Sequence, residues 1–321
     1  MKMKSKIPKL IIISPCYNEE AGIESSVKRL NALYDDLIAR GVISPHSKLL
    51  CVNDASKDST WEKIKALCKE YPRLRGISLA KNSGQYHATM AGICAACDKC
   101  DAVITMDIDL QDDLNAIEKM VGLFLEGNEI VYGVKVARDG DSRFKRGTAK
   151  LFYRFQTLMG VKSIPDHSEF RLMSNKAIKI LSQYKERNLY TRGVVASLGL
   201  PYATVDDIIS ERTAGESKYG LFKLINVAID GITSFSIRPM RMIFMLGVIS
   251  LFITIGVVVY VIVSQFGYHA SGWTSLILSI WFFGSLILLS LGIIGEYIGR
   301  IYTEVKQRPT FIVEETTGEL D

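Results

Sequence analysis

From Met242 to Gly295 the chain carries no Asp, Glu, Lys or Arg, and no other feature restricts its fold as tightly. A polar, glycine-containing patch, Ser264–Thr274 (SQFGYHASGWT), divides this stretch. Each flank, Met242–Val263 and Ser275–Ile294, offers roughly the twenty apolar residues that cross a bilayer core. A helical hairpin buried in a soluble core is the competing reading, but helices of that kind are shorter and amphipathic. The pattern predicts transmembrane helices at 241–264 and 274–295, joined by an extracytoplasmic loop at 265–273. Arg238 and Arg241 precede the first span, Arg300, Lys306 and Arg308 follow the second, and the loop between them has neither Lys nor Arg. Basic residues stay on the cytoplasmic side. A multi-pass protein of the cytoplasmic (inner) membrane is therefore expected, with both termini and the large N-terminal region cytoplasmic. The first apolar run, Leu10–Ile13, is too short for a signal peptide.

All six cysteines fall between residues 16 and 100, in the region expected to be cytoplasmic, and should be reduced. Cys94, Cys97 and Cys100 have metal-like spacing but no fourth ligand nearby, and the small residues around them read as a packed helix. The net charge of +5 comes without the aromatic-plus-basic stripe of a nucleic-acid binder, which excludes that class. A membrane surface accounts for it better.

Residues 7–133 alternate strand and helix signals. Strands are expected at Leu10–Ser14, Lys48–Val52, Gly76–Leu79, Val103–Met106 and Glu129–Gly133. Helices are expected at Ala21–Arg40, Thr60–Glu70, Tyr86–Cys97 and Asn115–Leu125. Such βαβ alternation predicts an α/β fold with a mostly parallel, doubly wound sheet, whose ligands sit at the carboxyl ends of the strands. Four polar clusters follow those strands: Pro15–Glu19, Asn53–Ser59, Lys81–Gln85 and Asp107–Asp113. Neither a G-x-G-x-x-G after the first strand nor a P-loop signature occurs, so dinucleotide and P-loop readings lack support.

The fourth cluster carries the most chemistry. In Ala102-Val-Ile-Thr-Met-Asp107-Ile-Asp109-Leu-Gln111-Asp112, an apolar run ends in alternating carboxylates. Alternation puts Asp107 and Asp109 on one side of an extended backbone, where their charges repel. A divalent cation relieves that repulsion, and oxygen-only ligands suit Mg²⁺ or Mn²⁺, ions that commonly grip a diphosphate. The bland alternative is a solvated strand end whose acids cap the helix starting near Asn115.

Beyond the sheet, Arg143–Phe155 places Phe144, Leu151, Phe152 and Phe155 on one helical face beside a basic face. That suits a helix lying among lipid headgroups. Tyr219–Phe235 is a second candidate, leading directly into the first span. The expected organisation is a core at 1–140, an acceptor-binding part with juxtamembrane amphipathic helices at 141–240, the two spans and their loop, and a cytoplasmic tail at 296–321.

Taken in order, SPCYNEE, VNDASKDST, LAKNSGQYHATMAG, ITMDIDLQD, SEFRLMS, ERTAGESKYG, the apolar hairpin and GEYIGRIYTEVKQRP resemble the family 2 glycosyltransferases of GT-A fold. Within them the chain resembles the polyisoprenyl-phosphate glycosyltransferases, which include bactoprenol glucosyl transferases and, more distantly, dolichol-phosphate mannose synthase. The resemblance implies that Pro15, Tyr17, Asn18 and Glu19 line a nucleotide pocket and that Asp54 reads the uracil or ribose. Lys81 and Gly84 would lie near the base or sugar. Asp109 and Gln111 would hold Mg²⁺ or Mn²⁺, with Asp107 coordinating it directly or through water. Lys135, Arg138, Arg143 and Arg146 would hold the acceptor phosphate, and Arg212 would close over the diphosphate. Glu169, with Asp166 in reserve, would act as base or orient the acceptor.

The implied activity is inverting transfer of a hexose or N-acetylhexosamine, glucose as first choice, from a UDP-sugar to undecaprenyl phosphate. A separate flippase would act downstream, and glycines in the two spans would allow packing into a homo-oligomer. A polysaccharide or protein acceptor, or a non-catalytic membrane scaffold, are the alternatives. Three departures from the family pattern stand out. Glu169 replaces the usual Asp, and Asp113 replaces a proline after D-L-Q-D. Ala55 replaces the glycine of the N-D-G-S loop, which asks for a backbone without positive φ there.

Overall fold

The computed structural model describes residues 7–135, 167–184, 186, 191–208, 238–264 and 272–320. The chain divides into two compact units. The first comprises Met1–Tyr153, Lys162–Tyr219 and Arg308–Asp321, and the second comprises Arg154–Val161 and Gly220–Gln307.

In the first unit the expected alternation is present. It runs β1 (Leu10–Cys16), α1 (Ile23–Ala39), β2 (Lys48–Asn53), α2 (Thr60–Glu70), β3 (Leu74–Leu79), α3 (Gln85–Ala96), β4 (Ala102–Thr105), α4 (Ala116–Leu125) and β5 (Ile130–Lys135). Then follow β6 (His167–Ser174), α5 (Asn175–Leu181), α6 (Thr191–Ser197) and β7 (Tyr202–Asp207). β1 is an unbroken apolar run from Leu10 to Ile13 because both its faces are covered. Leu10 and Ile12 join a core with Val27, Leu30 and Tyr34 of α1, Ile64 of α2 and Met120 of α4. Ile13, on the opposite face, meets α3 so closely that a Cβ on Gly92 would lie 2.4 Å from its Cγ2. Only glycine admits that approach.

The strand order is β7-β5-β6-β4-β1-β2-β3-β8, where β8 is Val313–Thr316. β1 runs parallel to both β2 and β4, β2 to β3, and β5 to β7. β6 inserts antiparallel between β4 and β5, and β8 pairs antiparallel with β3. The chain winds from β1 to β3 on one side and restarts at β4 on the other. That switch opens a crevice at the carboxyl ends of β1 and β4.

The second unit contains α7 (Arg238–Ser264) and α8 (Trp273–Val305). Within α8, Phe282–Val305 is long and apolar enough to cross a membrane; the described apolar part of α7 is Met240–Ser250. Large side chains on both helices are bare, among them Phe244 and Phe252 on α7 and Leu288 and Leu291 on α8. The region expected as a tail, 296–321, divides differently. Its first part continues α8, with Glu296 and Arg300 paired one turn apart, and residues from Arg308 onward belong to the first unit. The amphipathic candidates Arg143–Phe155 and Tyr219–Phe235 lie outside the described residues.

Candidate active site

A cleft of about 380 Å³ opens at the switch point, lined by residues from all four polar clusters, Tyr17, Glu19, Asp54, Gly84, Asp107 and Asp109 among them. The loops after β1 and β2 are laced together. The Asn18 N–H donates to Ser56 Oγ at 3.0 Å, and the Lys57 N–H donates to Asn18 Oδ1 at 2.9 Å. The Glu19 N–H donates to Thr60 Oγ1 at 2.9 Å. Asn18 takes φ 55°, Ala55 φ 52° and Leu110 φ 51°. Each of three cleft-forming loops thus holds a non-glycine residue in the left-handed region, a strain that the surrounding bonds sustain. The expectation for Ala55 was wrong. The turn geometry is imposed by the loop's hydrogen bonds, with the Ser56 N–H reaching Asn53 Oδ1 at 3.2 Å, and alanine bears it.

Asp54 is buried, 3 % exposed, and both its oxygens accept backbone bonds from the loop after β3. The Ser83 N–H lies 2.7 Å from Oδ1 and the Gly84 N–H 2.8 Å from Oδ2. Gly84, at φ 88°, turns the chain into α3. Asp54 therefore shapes the loop, with lone pairs left over for a ligand.

The acidic loop is held differently. Gln85 Nε2, at the start of α3, donates to Asp107 Oδ1 at 2.6 Å. Gln111 Nε2 donates to Asp109 Oδ2 at 2.8 Å. The N-cap of α4, Asn115, has no side-chain cap bond, and the acid that braces the turn before it is Asp113, whose Oδ1 accepts the Asn115 N–H at 2.9 Å. Asp107 and Asp109 take no part in it, which removes the main support for reading them as caps. The loop is tied to the far side of the sheet by Asp207 of β7, fully buried, whose Oδ1 accepts the Asp113 N–H at 2.9 Å.

Negative charge is concentrated here. Burial, followed by the charges of Asp109, Asp107 and Asp58, raises the Glu19 carboxyl. Burial, then Asp207 and Asp107, pushes Asp112 up to about 8 against the opposing pull of Lys135. The donors facing the cleft fit a hard divalent cation. Asp107 and Asp109 offer carboxylate oxygens, and Gln111, bonded to Asp109 from outside the lining, has an amide oxygen beside them. The one soft group, the Cys16 thiol, donates to the Ser14 carbonyl at 3.5 Å and is pushed well above the usual thiol range by the neighbouring Cys51 thiol and by burial. Among the described residues no three His, Cys, Asp or Glu side chains form a ready cage. Mg²⁺ needs none, because it commonly takes one or two carboxylates and completes its shell with phosphates and water.

Of the residues expected at the site, Pro15, Tyr17, Glu19, Asp54, Gly84, Asp107 and Asp109 line the cleft; Asn18, Lys81 and Gln111 support its loops from outside the lining. Glu169 does not line it either. It sits on β6, bonded to Arg171, which is 1 % exposed and lies opposite Thr105 of β4 and Tyr132 of β5. The ion-pair reading of Glu169 is thus the geometry present. Lys135 stands exposed at the end of β5, opposite Asp207. Asp166, Arg138, Arg143, Arg146 and Arg212 lie outside the described residues. Sequence reasoning missed Asn82 and Gln85 in the cleft, although both stand in the K-N-S-G-Q cluster that it singled out.

In open α/β sheets ligands bind in the crevice at the carboxyl ends of the strands, and that is where these carboxylates converge. Residues 11–194 match the model of glycosyl transferase family 2, and the chain belongs to that family. It is 42 % identical over 313 residues to the uncharacterized glycosyltransferase YkoT of Bacillus subtilis, covering 97 % of this chain and 93 % of that one. It is 34 % identical over 312 residues to the SfII prophage-derived bactoprenol glucosyl transferase of Shigella flexneri, covering 96 % and 98 %. Among solved structures, the Pyrobaculum calidifontis mannosyltransferase PcManGT in complex with GDP-Man and Mn²⁺ aligns over 71 % of each chain, at 16 % identity and TM-score 0.47.

Proposed function

We propose that this glycosyltransferase moves a hexose or N-acetylhexosamine, glucose as first choice, from a UDP-sugar to undecaprenyl phosphate at the cytoplasmic leaflet, with inversion. The observation that carries this reading is the end-to-end similarity to a protein named as a bactoprenol glucosyl transferase. The acidic cleft and the bare apolar helices agree with it. Two spans, at 241–264 and 274–295, would anchor the enzyme with its catalytic unit and both termini cytoplasmic.

The chemistry follows from the two anions that must meet. An acceptor phosphate monoester, with a second pKa of about 6, is largely ionised near neutral pH and needs little help from a base. Its oxygen bonds to the anomeric carbon as the bond to the diphosphate breaks, and UDP leaves with the electron pair. Tyr17, 42 % exposed, offers a ring face to the base, and the free lone pairs of Asp54 accept from the imide or ribose. Asp109, Gln111 and Asp107 would hold Mg²⁺ or Mn²⁺. Such an ion, when bound, neutralises charge on the leaving diphosphate. Lys135, Arg138, Arg143 and Arg146 would hold the lipid phosphate, and Arg212 would cover the diphosphate. Glu169, fixed by Arg171, suits orientation of the acceptor better than proton abstraction.

The test is purified protein in detergent with a panel of UDP-sugars, Mg²⁺ or Mn²⁺, and a polyprenyl phosphate. Lipid-dependent UDP release with one sugar is expected. Silence with every common sugar overturns the reading, and release that requires a glycan or protein acceptor instead reassigns it.

A further inference from the structure

We propose that Ile312–Thr317, a segment made after both long helices, is a positioning element of the cleft. It holds the Ala80–Gly84 loop in its binding shape by way of β3. The inference rests on the nucleotide reading of that cleft only for its functional consequence.

β8 is an unusual strand. All four of its side chains are exposed, so no buried apolar face explains why it docks. Backbone and polar bonds hold it instead. Ile77 pairs with Thr316, Ser78 with Glu315 and Leu79 with Val313, with a shift in register between Ser78 and Leu79. The Thr317 N–H donates to the Gly76 carbonyl at 3.0 Å, and Thr317 Oγ1 accepts the Gly76 N–H at 2.7 Å. Glu315 Oε2 accepts from Trp61 Nε1 of α2 at 2.7 Å, and Arg75 Nε donates to the Glu319 carbonyl at 2.9 Å.

The register shift has a consequence at the cleft. Beyond it, the Ala80 N–H donates to the Ile312 carbonyl at 2.9 Å. Ala80 is the last residue before the loop whose Asn82 and Gly84, followed by Gln85, line the cleft. That loop is therefore pinned at two places. Asp54 grips Ser83 and Gly84 at its far end, and the Ile312 carbonyl fixes its near end. Without β8, β3 would be a bare edge with unpaired backbone groups, and the near end of the loop would be free. Because this segment follows α8 in the chain, the cleft is completed only after the apolar helices have been made. Donor binding is thereby tied to synthesis of the membrane-directed part.

The test uses the full chain. Thr317→Pro removes both bonds to Gly76, and hydrogen exchange at residues 313–316 reports whether the segment has been released. With release, exchange at Ala80–Gln85 should rise at least tenfold, and the Kd for UDP with Mn²⁺ should rise about tenfold. Native exchange at Ala80–Gln85 with the segment released overturns the proposal. Should Thr317→Pro fail to fold, Thr317→Val removes the acceptor for Gly76 and the contact with Cys68 Sγ at 3.3 Å but keeps the Thr317 N–H bond. An increase of about two- to fivefold in the same exchange is then expected, and none overturns the proposal. If the unmodified protein binds no UDP, the nucleotide reading fails, and the exchange measurement still decides the positioning role.

Discussion

Asp54 and Asp109 are carboxylates at the ends of two strands that flank β1 on either side, yet they are held in opposite ways. Asp54 is buried and accepts two backbone N–H groups, so its partners cannot leave without unmaking a loop. Asp109 is held at the surface by its own neighbour Gln111, through the N–H at 3.3 Å and the side-chain amide at 2.8 Å, and Asp107 by the side-chain amide of Gln85. A neutral amide donates a hydrogen bond but brings no charge, so the repulsion between the acids remains. Second to burial, it raises the carboxyls of Glu19 and Asp112. The Asp54 side of the cleft is built before any ligand arrives, whereas the Asp107–Asp109 side is bonded to neutral amides that leave its negative charges in place.

The largest effect should come from breaking the second arrangement. Asp109→Asn keeps the shape but removes the charge, and kcat/KM should fall by about 100-fold or more, as when a charge-stabilising group is lost from an active site. Because the partners of Asp109 are the N–H and side-chain amide of exposed Gln111 alone, both of which an asparagine oxygen can still meet in part, thermal unfolding should change little. A large drop in unfolding temperature would instead make Asp109 a structural residue.

Asp54→Asn attacks the first arrangement and should give the reverse profile. Its amide turns an N–H₂ toward the Ser83 or Gly84 N–H and leaves one of them unsatisfied, at a cost of about 1–3 kcal/mol. The unfolding temperature should fall by several degrees and the donor KM rise about tenfold, with kcat less affected. Equal stability in Asp54→Asn and wild type would erase the contrast.

Addition of Mn²⁺ sharpens the comparison further. At about 100 times its Kd, an ion that binds only the folded state stabilises by about 2.7 kcal/mol. Wild type and Asp54→Asn should both gain several degrees in calorimetry, reversibly with a chelator, and Asp109→Asn should gain nothing.

The two sides were also unequally legible in the sequence. β1 to β4 and their helices follow from apolar runs and 3.6-residue periodicity, and the polar clusters after them land together at the cleft. β6 was hidden because it carries Glu169 and Arg171 on one face, and a buried ion pair breaks the alternation that marks a strand. Its insertion between β4 and β5 is also a pairing between residues far apart in the chain, which no local pattern encodes. β8 was hidden for a simpler reason. VEET has no apolar face to announce it, and its partners Trp61, Arg75 and Gly76 are more than two hundred residues away.

Ala55 is where local reasoning failed outright, and it allows the smallest and most specific test. Alanine in the left-handed region costs about 1–2 kcal/mol relative to its preferred conformations. Ala55→Gly would remove that strain but add about 0.4–1 kcal/mol of backbone entropy to lose on folding. The balance is a net stabilisation of up to about 1 kcal/mol, read as a rise of a degree or two in unfolding temperature. Ser56 should keep its bonds to Asn53 and Asn18, so the cleft should keep its shape and the donor KM should stay within about twofold. A destabilised Ala55→Gly would mean that the methyl group does packing work exceeding its strain. An unchanged stability with a raised KM would mean that the rigidity of alanine, and not only the loop's hydrogen bonds, keeps the Asp54 side of the cleft built in advance.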